Sequence, residues 1–158
     1  MTDDDYSLDS MVCFAIYSAS NAVAKAHRVL LEPWELTYTQ YIVLLELGSS
    51  PNGLTVGELG AGMHLDSGTL SPLLRRLDDR GLVSRDRASA DERVVTANLT
   101  DAGRTVLGEL LASLGDLRAA YGFDSAGQAR ELIRELQRIT DGMRALTASG
   151  AGKNQSTK

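Results

Sequence analysis

Residues 54–99 read LTVGELGAGMHLDSGTLSPLLRRLDDRGLVSRDRASADERVVTANL. Thr55 and Glu58 are spaced as a capping box, in which the threonine oxygen takes a backbone N–H and the glutamate reaches back. This opens a short helix to about Met63. A tight bend falls near His64–Asp66, and Asp66 or Ser67 caps a second helix. That helix carries Leu70, Leu73, Leu74 and Leu77 on one face, and Gly81 is placed as its C-terminal cap. Leu82–Arg87 and Arg93–Leu99 flank a polar turn, Ala88–Glu92, as the strands of a hairpin. Short helix, bend, amphipathic helix and ribbon, in that order, predict a winged helix-turn-helix.

In that architecture the second helix enters the DNA major groove with its leucines turned to the core. A helical wheel then puts Gly68, Pro72, Arg75 and Asp79 at the centre of the outer face, with Thr69, Ser71 and Arg76 on its flanks. Gly68 and Pro72 have no bulk to hold the backbone off DNA, and Ser67, Thr69 and Ser71 have hydroxyls for phosphates or base edges. Arg85 and Arg87 share one face of the first strand and Arg93 follows the turn, a basic ribbon suited to the narrow, negative minor groove. The charge pattern is weaker support. Residues 64–96 hold six arginines and six acids, while the rest of the chain supplies the whole net charge of −5. Mixed-sign runs are commonly just solvated surface.

Upstream, apolar residues from Leu8 to Leu31 form one stripe at helical spacing, flanked by the small-residue row Cys13, Tyr17, Ser20 and Ala24. Residues 11–24 carry no charge. A helix apolar over most of its circumference needs cover on more than one side, and one cover is a second subunit. Pro33 ends the pattern. Thr37 and Gln40 form another capping box before a helix Tyr38–Leu47, and Gly48–Gly53 is a loop. Downstream, Thr100 caps a helix expected over Asp101–Ala120, and Ser125 with Gln128 starts a last helix to about Leu146. The polar stretch 149–158 is expected to be a disordered tail.

At 158 residues the chain suits one domain with a real core. The acidic start (Asp3, Asp4, Asp5) is unlike a secretory signal, and no apolar run reaches the roughly 20 residues of a membrane span. A single cysteine excludes an intrachain disulfide framework. A cytoplasmic location is expected. The two histidines, His27 and His64, lack metal-site company, so no metal or other cofactor is expected.

The run LTVGELGAGMHLDSGTLSPLLRRLDDRGLVSRDRASADERVVTANLTDAG resembles the winged helix of MarR-type transcription regulators. CFAIYSASNAV and LTYTQYIVLLEL narrow the resemblance to the organic-hydroperoxide-sensing, OhrR-like repressors of the single-cysteine subtype. The similarity runs from about residue 8 to 105, and more loosely to the end. It implies a mainly α fold with a small β-hairpin wing, in one domain over 1–158. About 8–36 and 101–146 would be dimerisation helices, and about 37–99 the winged helix-turn-helix. It implies a homodimeric repressor, not an enzyme, on a pseudo-palindromic operator in duplex DNA. Organic hydroperoxides would oxidise Cys13 and release the DNA, and a low-molecular-weight thiol or a backbone nitrogen would resolve the sulfenate. Cys13 matches the sensing cysteine, Tyr17 an aromatic one turn later, and Tyr38 one of two tyrosines that reach the thiolate from the partner subunit. The other tyrosine's position holds His27, a departure from the family pattern.

Residue chemistry alone leaves Cys13 open. A buried cysteine in an apolar helix is commonly inert, because burial disfavours the nucleophilic thiolate. Donors such as Tyr17, Tyr38 and His27 favour it. Alternatives are a MarR-type repressor released by a small aromatic ligand, a thiol peroxidase, and a helical interaction module with no DNA partner. Trp34 is expected as a packing anchor, Tyr41 as core or pocket wall, and His64 as a surface residue.

Overall fold

The computed structural model describes residues 7–88, 91–114 and 119–153. The chain divides into two compact units, residues 1–115 and 116–158.

The first unit begins with a single 3-10 turn, Leu8–Ser10, and α1, Val12–Leu31. A second 3-10 turn, Glu32–Trp34, carries Pro33 and leads to α2, Tyr38–Gly48. The Thr37–Gln40 capping box is formed in full: Thr37 Oγ1 accepts from the Gln40 N–H at 3.3 Å, and Gln40 Oε1 accepts from the Thr37 N–H at 2.9 Å. A two-residue strand β1, Leu54–Thr55, precedes α3, Val56–Met63, which opens on the Thr55–Glu58 capping box. Two acceptances from Thr55, its backbone N–H first and then its hydroxyl, hold the Glu58 carboxyl below its ordinary value.

α4, Ser67–Asp79, follows a bend in which His64 adopts φ 56° and the Leu65 N–H returns to Gly60 O at 2.9 Å. A Cβ on Gly60 would lie 2.8 Å from Leu65 O, so this bend needs a glycine there. Gly81, at φ 68°, closes the helix as its sequence position predicts. The wing is β2, Val83–Ala88, against β3, Asp91–Leu99, antiparallel and with a bulge between Arg87 and Ala88. β1 joins the far side of β3, Leu54 opposite Ala97, so the hairpin becomes a three-stranded sheet in the order β1-β3-β2. α5, Asp101–Ser113, is capped by Thr100 Oγ1, which accepts from the Gly103 N–H at 3.0 Å.

Leu31 of α1, Leu44 and Leu47 of α2, Leu59 of α3, Leu70 and Leu74 of α4 and Leu110 of α5 close one core. Their helical spacing puts them on the inward stripe of each helix.

The second unit contains α6, Ala126–Lys153, begun by Ser125 Oγ, which accepts from the Gln128 N–H at 3.3 Å. Tyr121 and Phe123 stack with centroids 5.9 Å apart around Gly122. Leu132, Ile133, Leu136, Met143 and Leu146 of α6 are exposed in the chain.

Three expectations are corrected. The helix from Asp101 stops at Ser113, with Leu114 as its C-cap, rather than running to Ala120; Gly115 follows, a residue that costs helix propensity. The last helix runs to Lys153 and not to Leu146, so 149–153 are helical and only 154–158 of the expected tail lie outside the described residues. The small residues of 147–152 include alanines, which favour helix and extend the turn pattern. Cys13 is exposed rather than buried, as are Val12, Phe14 and Ile16 beside it.

Candidate nucleic-acid interface and thiol site

α4 presents the outer face that the sequence predicts. Leu70, Leu74 and Leu77 are fully buried, and Ser67, Gly68, Thr69, Ser71, Pro72, Arg75 and Arg76 are all exposed. The N-cap is Asp66. Its Oδ1 accepts from the Thr69 N–H and its Oδ2 from the Thr69 hydroxyl, both at 2.9 Å. These bonds, the backbone one first, hold the Asp66 carboxyl below its ordinary value of 3.8. Pro72 sits inside the helix and lacks the N–H that would meet the Gly68 carbonyl. Both residues face solvent, where water can serve that oxygen.

The wing divides into a braced root and a tip. Arg85 Nε donates to Asp78 Oδ2 at 2.8 Å, pinning β2 to the end of α4. Asp86 Oδ2 accepts from Asn98 Nδ2 at 3.2 Å across the ladder. The backbones of Arg87 and Arg93 belong to β2 and β3, while their side chains, and the turn residues 89–90, lie outside the described residues.

The residues expected around the thiol divide differently. Cys13 lies in the first turn of α1, with Tyr17 one turn on and 63% exposed. Val12, Phe14 and Ile16 beside them are exposed as well. Fourteen residues along the same helix, roughly 21 Å at 1.5 Å per residue, His27 is 5% exposed. Its ring meets Tyr38 edge-on at 4.6 Å between centroids and lies 6.1 Å from Tyr41. His27, Tyr38 and Tyr41 are therefore one cluster within the chain, and Cys13 is not part of it. His27 Nδ1 is 2.9 Å from Val23 O. A carbonyl only accepts, so Nδ1 carries the proton and Nε2 of the neutral ring is an acceptor.

Tyr41, 6% exposed, is a member of this cluster that the sequence suggested only as core or pocket wall. Its place three residues after Tyr38 on α2 was the available signal. Trp34 is an anchor, its Nε1 donating to Glu109 Oε2 at 2.9 Å. His64 is exposed at the bend. Among the described residues no group of His, Cys, Asp and Glu is arranged to hold a metal ion, and no helix is long and apolar enough to cross a membrane.

Residues 25–110 match the family model of the SarA/Rot transcriptional regulators. The chain belongs to this family of transcriptional regulators. It is 52% identical over 108 residues to the HTH-type transcriptional regulator TtmR of Methylorubrum extorquens, a match covering 68% of this chain and 55% of that one. The chain thus spans little more than half of that relative's length. It is 40% identical over 100 residues to the organic hydroperoxide resistance transcriptional regulator of Bacillus subtilis, covering 63% of this chain and 67% of that one. That relationship bears out the OhrR-like resemblance read in the sequence. Among solved structures, reduced AbfR bound to DNA superposes with a TM-score of 0.73 at 27% identity, over 90% of this chain and 99% of that one; AbfR is from Staphylococcus epidermidis. The winged-helix, MarR-like fold and the mostly helical class are as the sequence predicts, and the relatives are regulators rather than enzymes.

Proposed function

We propose that the chain acts as a homodimeric DNA-binding repressor that leaves its operator when organic hydroperoxides oxidise Cys13. The observation that carries the regulatory part is the placement of Cys13: a thiol exposed on a charge-free helical stretch whose apolar neighbours Val12, Phe14 and Ile16 are exposed as well. Apolar side chains exposed on this scale mark an interface. A second copy covering α1 would enclose the thiol in a site built from two chains. The AbfR structure bound to DNA and the Bacillus regulator's description support the DNA and peroxide parts of this reading.

On DNA, α4 would lie in the major groove with Ser67, Gly68, Thr69, Ser71, Pro72, Arg75 and Arg76 outward. Arg87 and Arg93 would meet the backbone or minor groove from the wing. Arg85 contributes through its terminal nitrogens, since Nε is engaged by Asp78.

At the thiol, the Cys13 thiolate attacks one peroxide oxygen. The O–O bond breaks, an S–O bond forms, sulfur loses two electrons, and the alkoxide leaves as an alcohol after taking a proton. A low-molecular-weight thiol then displaces water from the sulfenic acid, giving a mixed disulfide; a backbone nitrogen doing the same gives a sulfenamide. The His27 of the other subunit, beside its Tyr38, is suited to the first proton transfer. With Nδ1–H spent on Val23 O, neutral His27 accepts a proton at Nε2, and the resulting imidazolium favours the thiolate beside it. The family's tyrosine would instead donate. Tyr17, one turn from Cys13, is a further donor.

The experiment is a gel shift on a duplex from upstream of the chain's own gene, with cumene hydroperoxide in one arm and salicylate in the other. Release by the hydroperoxide alone supports the reading. Release by salicylate alone assigns the chain to ligand-responsive regulators.

A further inference from the structure

The joint between α1 and α2 is held by the far end of α4. Arg80, the C-cap residue of α4, donates from Nη1 to Glu35 O at 2.9 Å and from Nη2 to Trp34 O at 2.6 Å. Glu35 adopts φ 51° and ψ 38°, a left-handed conformation in a residue with a Cβ. Such a backbone persists where its surroundings fix it. Here the Glu35 N–H bonds to Glu32 O at 2.9 Å and Arg80 takes the carbonyl. The indole of Trp34 reaches Glu109 on α5, and Thr100, the N-cap of α5, donates its hydroxyl to Gly81 O at 2.7 Å, next to Arg80. The α1–α2 joint, the end of α4 and α5 are thus linked by side-chain hydrogen bonds, and the backbone between Arg80 and Gly81 and along α5 closes the circuit.

We propose that Arg80 is a positioning residue that ties the DNA-reading helix to the Trp34–Glu35 joint that follows α1, so that a change imposed on α1 is passed to α4 through that joint. A guanidinium suits the task, because its planar fork holds two successive carbonyls in a fixed geometry, whereas a lysine ammonium is a compact charge with rotating donors. The proposal rests on the reading of α4 as the DNA helix and deepens its regulation; it does not depend on peroxide being the signal.

Accordingly the test perturbs α1 without peroxide. Cys13 is the sole thiol, so N-ethylmaleimide labels the full chain at one place in the first turn of α1. Affinity for the upstream duplex is measured with and without the label for wild type, Arg80→Ala and Arg80→Lys. Amide hydrogen exchange over residues 74–82 gives a readout that needs no DNA. Labelling should weaken wild-type binding about tenfold, within the usual span of coupling between sites, and change exchange at the end of α4. In Arg80→Ala the labelled-to-unlabelled ratio should fall to about threefold or less, with Arg80→Lys between. A merely structural arginine would lower both affinities and leave the ratio alone. Thermal unfolding shows whether each variant folds, and if the alanine variant does not, the lysine variant decides. An unchanged ratio and unchanged exchange response in the folded variants, or a wild type indifferent to labelling in both readouts, overturns the proposal. A wild type released by labelling but not by hydroperoxide overturns only the peroxide reading.

Discussion

At position 27 an imidazole, not a phenol, packs against Tyr38 and Tyr41 with its Nδ1–H committed to Val23 O. If Nε2 serves the partner's Cys13 as a proton acceptor, His27→Ala should slow alkylation of Cys13 at neutral pH severalfold. His27→Tyr, which donates instead, should largely restore it. Alkylation rate against pH for the three proteins checks this, and superimposable curves would remove His27 from the thiol's chemistry. Asp66 gives a second expectation at this scale. Its carboxyl is held low by Thr69, so the cap is fully present above the unfolded value near 3.8 and is lost as pH falls through the lower folded value. Asp66→Ala should therefore lower the unfolding temperature at pH 7 and narrow its deficit in strong acid, read by circular dichroism. Sequence singled out Cys13 by the charge-free run around it, and His27 by its departure from a family pattern. It could not show that His27 spends one nitrogen on its own helix, because that depends on a rotamer.

The elements differ in how plainly local chemistry announces them. Thr37 with Gln40, Thr55 with Glu58, and Thr100 each mark a helix start that the structure reproduces, since a cap is made by residues three apart. β1 is two residues long and is defined by pairing with Ala97 and Thr96, more than forty positions away, so no local pattern declares it. The Arg80 ring was equally hidden: its acceptors are carbonyls, which every residue has. α4 is the element on which the DNA proposal stands. Leu74→Ala, at a position with no exposure, should cost about 2–5 kcal/mol in urea unfolding, the range for a buried leucine. Arg93→Ala should weaken duplex binding and flatten its log–log salt slope by about 0.9, one phosphate's worth. An unaltered slope would place Arg93 off the phosphate backbone.

For the whole molecule, two sets of apolar side chains are exposed among the described residues: Val12, Phe14 and Ile16 in the first half of α1, and Leu132, Ile133, Leu136, Met143 and Leu146 of α6. Helical periodicity located the stripe of α1, yet a stripe does not say which molecule covers it. Sedimentation of the full chain at micromolar concentration should give a dimer, and a monomer would leave the thiol site without its second half. The net charge of −5 does not argue against DNA, because the winged-helix stretch 64–96 is balanced and the acidic excess lies elsewhere. The central claim is that oxidation at Cys13 causes release, and one titration tests it most directly. Wild type and Cys13→Ser are bound to the labelled duplex and titrated with cumene hydroperoxide, with the fraction of DNA released followed beside the fraction of Cys13 oxidised by mass spectrometry. Both proteins should bind the duplex alike, wild-type release should track Cys13 oxidation, and the serine variant should stay bound; release of the serine variant at the same peroxide concentration would contradict the account.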